Sequence, residues 1–153
     1  MIPLVHERPG HLIRRCQQIA VGLFLEHCAP FDLTPMQYAV LRAAEAQPGL
    51  DQITMAGLIG LDRSNAARLG AALEARGLLH RTTDPADRRV RLLRVTPAGA
   101  ALLRAVEPAV ERVQAELLAP VAPDLRPVLL EALGAIASAH NLSSRAPQRV
   151  KAA

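Results

Sequence analysis

Apolar residues recur at three- and four-residue steps through Leu12, Ile13, Cys16, Ile19, Ala20, Leu23 and Phe24, the period of an amphipathic helix, and Pro30 closes the run. Thr34-Pro35-Met36-Gln37 predicts the start of a second helix. It holds a hydroxyl cap, a proline at the first helical position and a glutamine that can reach back to the cap amide. That helix is expected to run to about Ala46, with Tyr38, Val40, Leu41 and Ala44 on its inner side. Pro48-Gly49 then breaks the chain, and Asp51 to Ile59 predicts a short third helix that stops at Gly60. Asp62 is a cap for a fourth helix with an inner stripe of Ala66, Leu69, Gly70 and Leu73, ending at Gly77. Leu78 to Thr82 and Val90 to Val95 read as two short strands around a loop of turn formers and charges, a hairpin. Thr96-Pro97 opens a long helix carrying Leu102, Leu103, Val106, Val110, Val113, Leu117 and Leu118, with a bend expected at Pro108 and an end at Pro120. A last helix is expected from about Leu125 to His140, with a loose tail over residues 143–153.

Composition narrows the functional classes. The chain has 153 residues, half of them apolar, enough for one domain with its own core. Its net charge is only +4, but eight arginines between Arg63 and Arg94 face three acids, Glu74, Asp84 and Asp87, so the positive excess is one local patch. Two Phe and one Tyr are too few for the stacking surfaces of single-strand binders. Two cysteines and five histidines without ligand spacing predict neither metal nor cofactor. The longest apolar run, Ile19 to Leu25, is far short of a membrane span, and a reduced cytoplasmic setting is expected. No nucleophile turn or phosphate loop points to an enzyme.

Two short helices joined by a tight turn, the second opening with small polar and basic residues, is the arrangement in which the second helix enters the major groove of duplex DNA. The groove-facing set is Arg63, Ser64, Asn65, Ala67 and Arg68. Arginine forks onto guanine, asparagine onto adenine, alanine touches a thymine methyl, and serine bonds a phosphate or base. The hairpin downstream adds Arg88, Arg89 and Arg91 for the minor groove or for phosphates. A solvated helix face of ordinary kind has the same composition, and the adjacent basic hairpin is what favours DNA.

The motif Asp87-x-Arg89-x-x-x-Leu93-x-Val95-Thr96-x-x-Gly99 follows Leu61-Asp62-x-Ser64 and Leu73-Glu74-x-x-Gly77-Leu78-Leu79-x-Arg81. With Leu33-Thr34-x-x-Gln37-x-x-Val40-Leu41, this series resembles the winged helix-turn-helix region of MarR-type bacterial transcriptional regulators. The resemblance implies a mainly α fold with a small β-hairpin wing, flanked by dimerisation helices. Residues 1–30 would form a dimerisation and ligand helix, 31–99 the DNA-binding region and 100–142 the C-terminal dimerisation helices. It also implies an Asp87–Arg89 pair in the wing, a homodimer, and repression at a pseudo-palindromic operator. The broad apolar stripes of the first and last helices give the dimer an independent motive.

Arg8-Pro9-Gly10-His11-Leu12-Ile13-Arg14-Arg15 is similar to the start of family members that respond to aromatic carboxylates or their coenzyme A thioesters. His11, Arg14, Arg15 and Gln18 share one side of the first helix and suit an anion, with Met36 or Tyr38 as a flat apolar wall. Surface cations or inter-subunit partners are the plainer reading of both arginines. Cys16 raises a thiol-sensing alternative, against which its place on the apolar stripe predicts a small buried hydrophobe. A helical interaction module without DNA binding is the remaining alternative.

Overall fold

Four helices start where a short polar side chain accepts the amide three residues further on. Thr34 Oγ1 takes the Gln37 amide at 3.2 Å while Gln37 Oε1 accepts the Thr34 amide at 3.0 Å, completing the reciprocal box expected there. Asp51, Asp62 and Thr96 accept the amides of Thr54, Asn65 and Gly99 at 2.8, 2.8 and 3.0 Å. The computed structural model describes residues 5–144 and 146–149. Its order is α1 (Pro9–His27), α2 (Pro35–Ala46), β1 (Leu50–Asp51), α3 (Gln52–Ile59), α4 (Arg63–Ala75), β2 (Leu79–Thr83), β3 (Arg91–Val95), α5 (Pro97–Leu118) and α6 (Arg126–Ala139).

The chain is mainly helical with one small antiparallel sheet, as expected, but the sheet has three strands rather than two. β3 pairs with β2 from Leu79↔Val95 to Thr83↔Arg91, and with β1 at Leu50↔Leu93 and Asp51↔Leu92, in the order β1-β3-β2. The chain turns at Gly49, whose amide donates to the Leu93 carbonyl at 2.9 Å. A two-residue strand has no alternation to read, so its partner alone reveals it.

The core gathers the buried sides of α2 to α5 and the sheet: Leu41, Met55, Leu73, Leu79, Leu93, Leu103, Val106 and Val113 are closed to solvent. The inner stripe of α4 is Ala66, Leu69, Gly70 and Leu73, as read from its period. α1 packs along α5 and adds Phe24 from its second half, with Cys28 just beyond it. The first half of its stripe is bare, with Leu12, Ile13 and Ile19 more than two-fifths exposed. Cys16 shares that bare stretch and is exposed, not buried as its periodicity suggested. α6 buries none of its residues, and its main contact is the turn Pro123–Leu125 before it. No helix among the described residues is long and apolar enough to cross a membrane.

α5 runs as one helix through Pro108, which lies on its exposed side and supplies no amide for the Arg104 carbonyl. One further expectation changes. The tail is not loose over residues 146–149. There the Arg149 amide donates to the Gly57 carbonyl, and Gln148 Nε2 to that of Leu58, each at 2.6 Å. The stretches 1–4 and 150–153, with Arg145, lie outside the described residues.

α5 leaves the sheet through a close contact. The Thr96 amide donates to the Leu78 carbonyl at 3.1 Å and Thr96 Oγ1 to the Gly77 carbonyl at 2.6 Å. A Cβ on Gly99 would stand 2.1 Å from the Leu78 oxygen. Gly99→Ala is therefore expected to destabilise the fold by about 3 kcal/mol, read from urea unfolding; an unchanged midpoint would mean the contact is not tight.

Candidate nucleic-acid interface and effector cleft

α3 closes at Gly60 in the left-handed conformation (φ 69°), Leu61 and Asp62 make the turn, and Arg63 begins α4. Burial of Ala66, Leu69, Gly70 and Leu73 turns Arg63, Ser64, Ala67 and Arg68 to solvent together. Asn65 is half-buried and engaged at both ends of its amide: Nδ2 donates to Asp62 Oδ2 at 2.6 Å, and Oδ1 accepts Arg68 Nη2 at 3.0 Å. The main-chain and side-chain donors of Asn65 hold the Asp62 carboxyl below the usual aspartate range. In the free protein Asn65 therefore orients Arg68 from the capped end of the helix.

The eight arginines of the basic patch divide into two sets. Arg81 gives its amide, Nε and Nη2 to the Glu74 carboxylate at 3.0 to 3.3 Å, fastening β2 to the end of α4. Those bonds, led by the Arg81 amide, hold Glu74 below the ordinary glutamate range. Arg76 Nη1 donates to the Asp32 carbonyl at 2.6 Å and ties α4 back to the α1–α2 connection. The Arg94 guanidinium lies against Gly49. Arg63, Arg68, Arg88, Arg89 and Arg91 remain, all exposed, and all five are among the residues that sequence reasoning assigned to DNA.

The wing is built for a fixed tip. The Asp84 amide donates to the Val90 carbonyl at 3.0 Å and the Val90 amide to the Asp87 carbonyl at 2.9 Å. Asp87 accepts the Arg89 amide at 3.0 Å and Arg89 Nε at 3.2 Å, the pair implied by the family resemblance, and its carboxyl is held below the usual range by Arg89. Arg89 is nevertheless 91% exposed at its side chain, so it keeps most of its surface for a partner. Arg91 Nη1 donates to Thr83 Oγ1 across the strands at 2.6 Å. Arg63, Arg89 and Arg91 border one hollow of about 190 Å³ with Asp51, Gln52, Ile53 and Val90, so helix and wing present their cations to the same space. A rigid helix edge and a cationic ribbon beside it fit adjacent grooves of a duplex.

The residues expected to hold an anion are not brought together. His11, Arg14, Arg15 and Gln18 share α1, where Arg15 Nη1 donates to Gln18 Oε1 at 3.0 Å. His11 meets His6 edge to face at 5.3 Å; loss of solvation, then the positive charges of Arg14, His6 and Arg15, hold it below the ordinary histidine range. Tyr38 lies elsewhere, its ring 5.9 Å from Phe24 and its hydroxyl between Glu107 and Arg42 at 3.1 and 3.2 Å. Met36 borders a different hollow with Asn65, Arg68 and Leu69, against the recognition helix. What sequence reasoning missed is a cleft of about 240 Å³ lined by Gln17, Val21 and Phe24 of α1, Pro35, and Val113 and Leu117 of α5. Arg14 precedes Gln17 and Val21 by three and seven residues, on the same face of α1. Only packing of α1 on α5 creates that space, so no local pattern announces it. Cys28, by contrast, is closed off, and burial raises its thiol. Among the described residues no group of three His, Cys, Asp or Glu could hold a metal ion.

Comparison with known proteins agrees with this geometry. Residues 33–90 match the family profile described as MarR family. Transcriptional regulator HosA of Escherichia coli is 37% identical over 101 residues, 63% of this chain and 75% of HosA. The PcaV transcriptional regulator from Streptomyces coelicolor, in complex with its natural ligand, superposes with a TM-score of 0.81 at 38% identity, covering 91% of this chain and 99% of PcaV. The transcriptional repressor CouR bound to a 23-mer DNA duplex gives 0.82 at 35% identity over 90% of this chain and 99% of CouR. CouR is also seen bound to p-coumaroyl-CoA, with a TM-score of 0.80, 33% identity, and coverage of 90% and 98%.

Arg68→Ala is expected to weaken duplex binding and relax base choice at one position by about 1 to 3 kcal/mol. Arg89→Ala should instead lower affinity evenly across sequences and flatten its salt dependence. Titrations of both variants against a panel of duplexes separate the two; if neither changes binding, α4 and the wing are not the contact surface.

Proposed function

The chain belongs to the MarR family of transcriptional regulators, and on that premise we propose that it is a homodimeric repressor released from its operator by a small aromatic carboxylate or its coenzyme A thioester. It is a regulator and not an enzyme: its work is binding, carried out on DNA in the cytoplasm. The observation that carries the reading is the five exposed arginines of α4 and the wing, three of which, Arg63, Arg89 and Arg91, border one hollow. Arg63, Ser64, Ala67 and Arg68 enter the major groove, while Arg88, Arg89 and Arg91 take the adjoining minor groove and phosphates. Asn65 steers Arg68, and Asp87 fixes the wing tip that carries Arg89.

The dimer rests on α6 and the first half of α1. Val128, Leu130, Leu133 and Ile136 are 42 to 59% exposed on a helix that no other described residue buries. A second copy related by a twofold axis covers both surfaces and sets two α4 helices about one helical turn apart, which calls for a pseudo-palindromic operator. Leu133→Glu is accordingly expected to yield monomers in analytical ultracentrifugation, with operator affinity reduced by more than about a hundredfold through loss of the second half-site. A dimeric variant with unchanged affinity would place the interface elsewhere.

For the effector, the relative CouR, bound to p-coumaroyl-CoA, supports an aromatic acid or its coenzyme A thioester. The α1–α5 cleft admits one substituted ring between Val21, Phe24, Val113 and Leu117, with Arg14 on the same face for the carboxylate and His11, Arg15 and Gln18 on the adjoining ridge. A thioester would keep its nucleotide end outside a space of this size. Because α5 is clamped to the base of the wing, a ligand that alters the α1–α5 spacing favours one separation of the recognition helices over another.

Arg14→Ala is expected to weaken binding of benzoate- or cinnamate-type acids by about ten- to a hundredfold, the loss of one charge-assisted contact, while leaving DNA affinity intact. A carboxylate beside His11 favours the imidazolium, which the free protein disfavours, so ligand affinity should rise as the pH falls below neutrality. Calorimetry on wild type, Arg14→Ala, Arg15→Ala and His11→Ala checks both expectations; full ligand response in all three variants would remove the site from α1.

A further inference from the structure

Beyond α6 the side chain of Asn141 grips the main chain of Gln148 through both ends of its amide. Asn141 Nδ2 donates to the Gln148 carbonyl at 2.7 Å, and the Gln148 amide donates back to Asn141 Oδ1 at 2.8 Å. From there Gln148 Nε2 reaches the Leu58 carbonyl and the Arg149 amide the Gly57 carbonyl. Both carbonyls belong to the last turn of α3, where a helix has no donors of its own to offer. The seat depends on a missing side chain: Cβ, Cγ and Cδ of Arg149 lie 3.1 to 3.3 Å from where a Cβ on Gly57 would stand. The tail is thus fastened to the first helix of the helix-turn-helix at a defined register, and the residue so placed is an arginine.

Its surroundings show what that arginine faces. Arg149 borders a hollow of about 230 Å³ with Ile53, Gly57, Asp62 and Arg63. Ile53 and Arg63 also border the neighbouring hollow, whose far side is Arg89 and Arg91 of the wing. The two hollows therefore share a wall, and four arginines of tail, helix and wing border them against two acids, Asp51 and Asp62, each already engaged as a helix cap. Among the described residues no salt bridge involves Arg149, Arg63 or Arg91. Such a strip, in which Arg149, Arg63 and Arg91 have no ion-pair partner among the described residues and Arg89 has only Asp87, lies beside the leading end of α4 and suits a polyanion that extends past the bases that α4 reads.

We propose that the C-terminal tail is a third DNA-contacting element, in which Arg149, held on α3 by the Asn141–Gln148 loop, binds a backbone phosphate of the duplex next to Arg63. The proposal rests on the DNA-binding reading above and adds to it a contact outside the helix-turn-helix and wing. Arg149 supplies affinity without base choice, since a phosphate carries no sequence. Gln148 is a positioning residue that keeps the main chain of Arg149 on the helix.

The test uses the full chain and a duplex that the wild-type protein selects from a random pool, with affinity measured across a salt series. Arg149→Ala should reduce the salt slope by about 0.9 for each half-site and weaken binding on the order of tenfold at physiological salt. The base preferences found in the selection should be unchanged. Arg149→Lys, which keeps the charge, should restore most of the affinity and slope, and Gln148→Ala should show an intermediate loss with the charge still present. Wild-type slope and affinity in Arg149→Ala would overturn the proposal, as would an Arg149→Lys variant as weak as the alanine. In either case wild-type binding would leave the DNA-binding reading standing. A wild-type protein that binds no duplex would sink both.

Discussion

One carbonyl organises the molecule. The Leu78 oxygen accepts the Thr96 amide, and the bare Cα of Gly99 passes close over it, so the start of α5 is held against the foot of β2. Thr96 also caps α5 and bonds the Gly77 carbonyl, while the Leu78 amide reaches back to Leu73 at the end of α4. Recognition helix, both long strands and α5 therefore meet within a few residues, and none can turn far without the others. Close-packed joints of this kind shift between discrete arrangements rather than bending continuously. On the proposed reading, this joint carries an event on α1 and α5 to α4 and the wing.

The same economy governs the charges. Arg76 and Arg81 are spent inside the fold, one on carbonyls of the α1–α2 connection and one on Glu74, where they set the tilt of α4 and the sheet. Removing either would be a structural injury before anything else. The exposed arginines hold only local partners, Asn65 for Arg68, Asp87 for Arg89 and Thr83 for Arg91. The basic patch counted along the sequence is therefore two populations, told apart only by what each guanidinium touches.

Much of this was legible in the chain. Caps at Thr34, Asp62 and Thr96, the stop at Gly60 and the inner stripe of α4 are local signals, and each is realised where the spacing put it. Three features depended on non-local contacts. β1 exists because β3 is there to pair with it, the apolar cleft exists because α1 lies on α5, and Gln148 and Arg149 are held by the carbonyls of α3. The exposure of Cys16 has the same origin, because periodicity shows which face is apolar but not whether anything in the chain covers it. Met36 and Tyr38 were grouped with the α1 cations by chemistry, and the packing of α2 sends them to other neighbours.

The bareness of α6 has a consequence for the molecule's life as a whole. If a second copy covers the apolar side of α6, as proposed, persistence of the native fold depends on encounter, and a melting temperature then describes a solution at a given strength rather than a single polypeptide. Dilution then acts like a mild denaturant. A regulator present in few copies would sit nearer that limit than one that is abundant, and any molecule bridging the two halves would guard it from proteolysis as well as changing its grip.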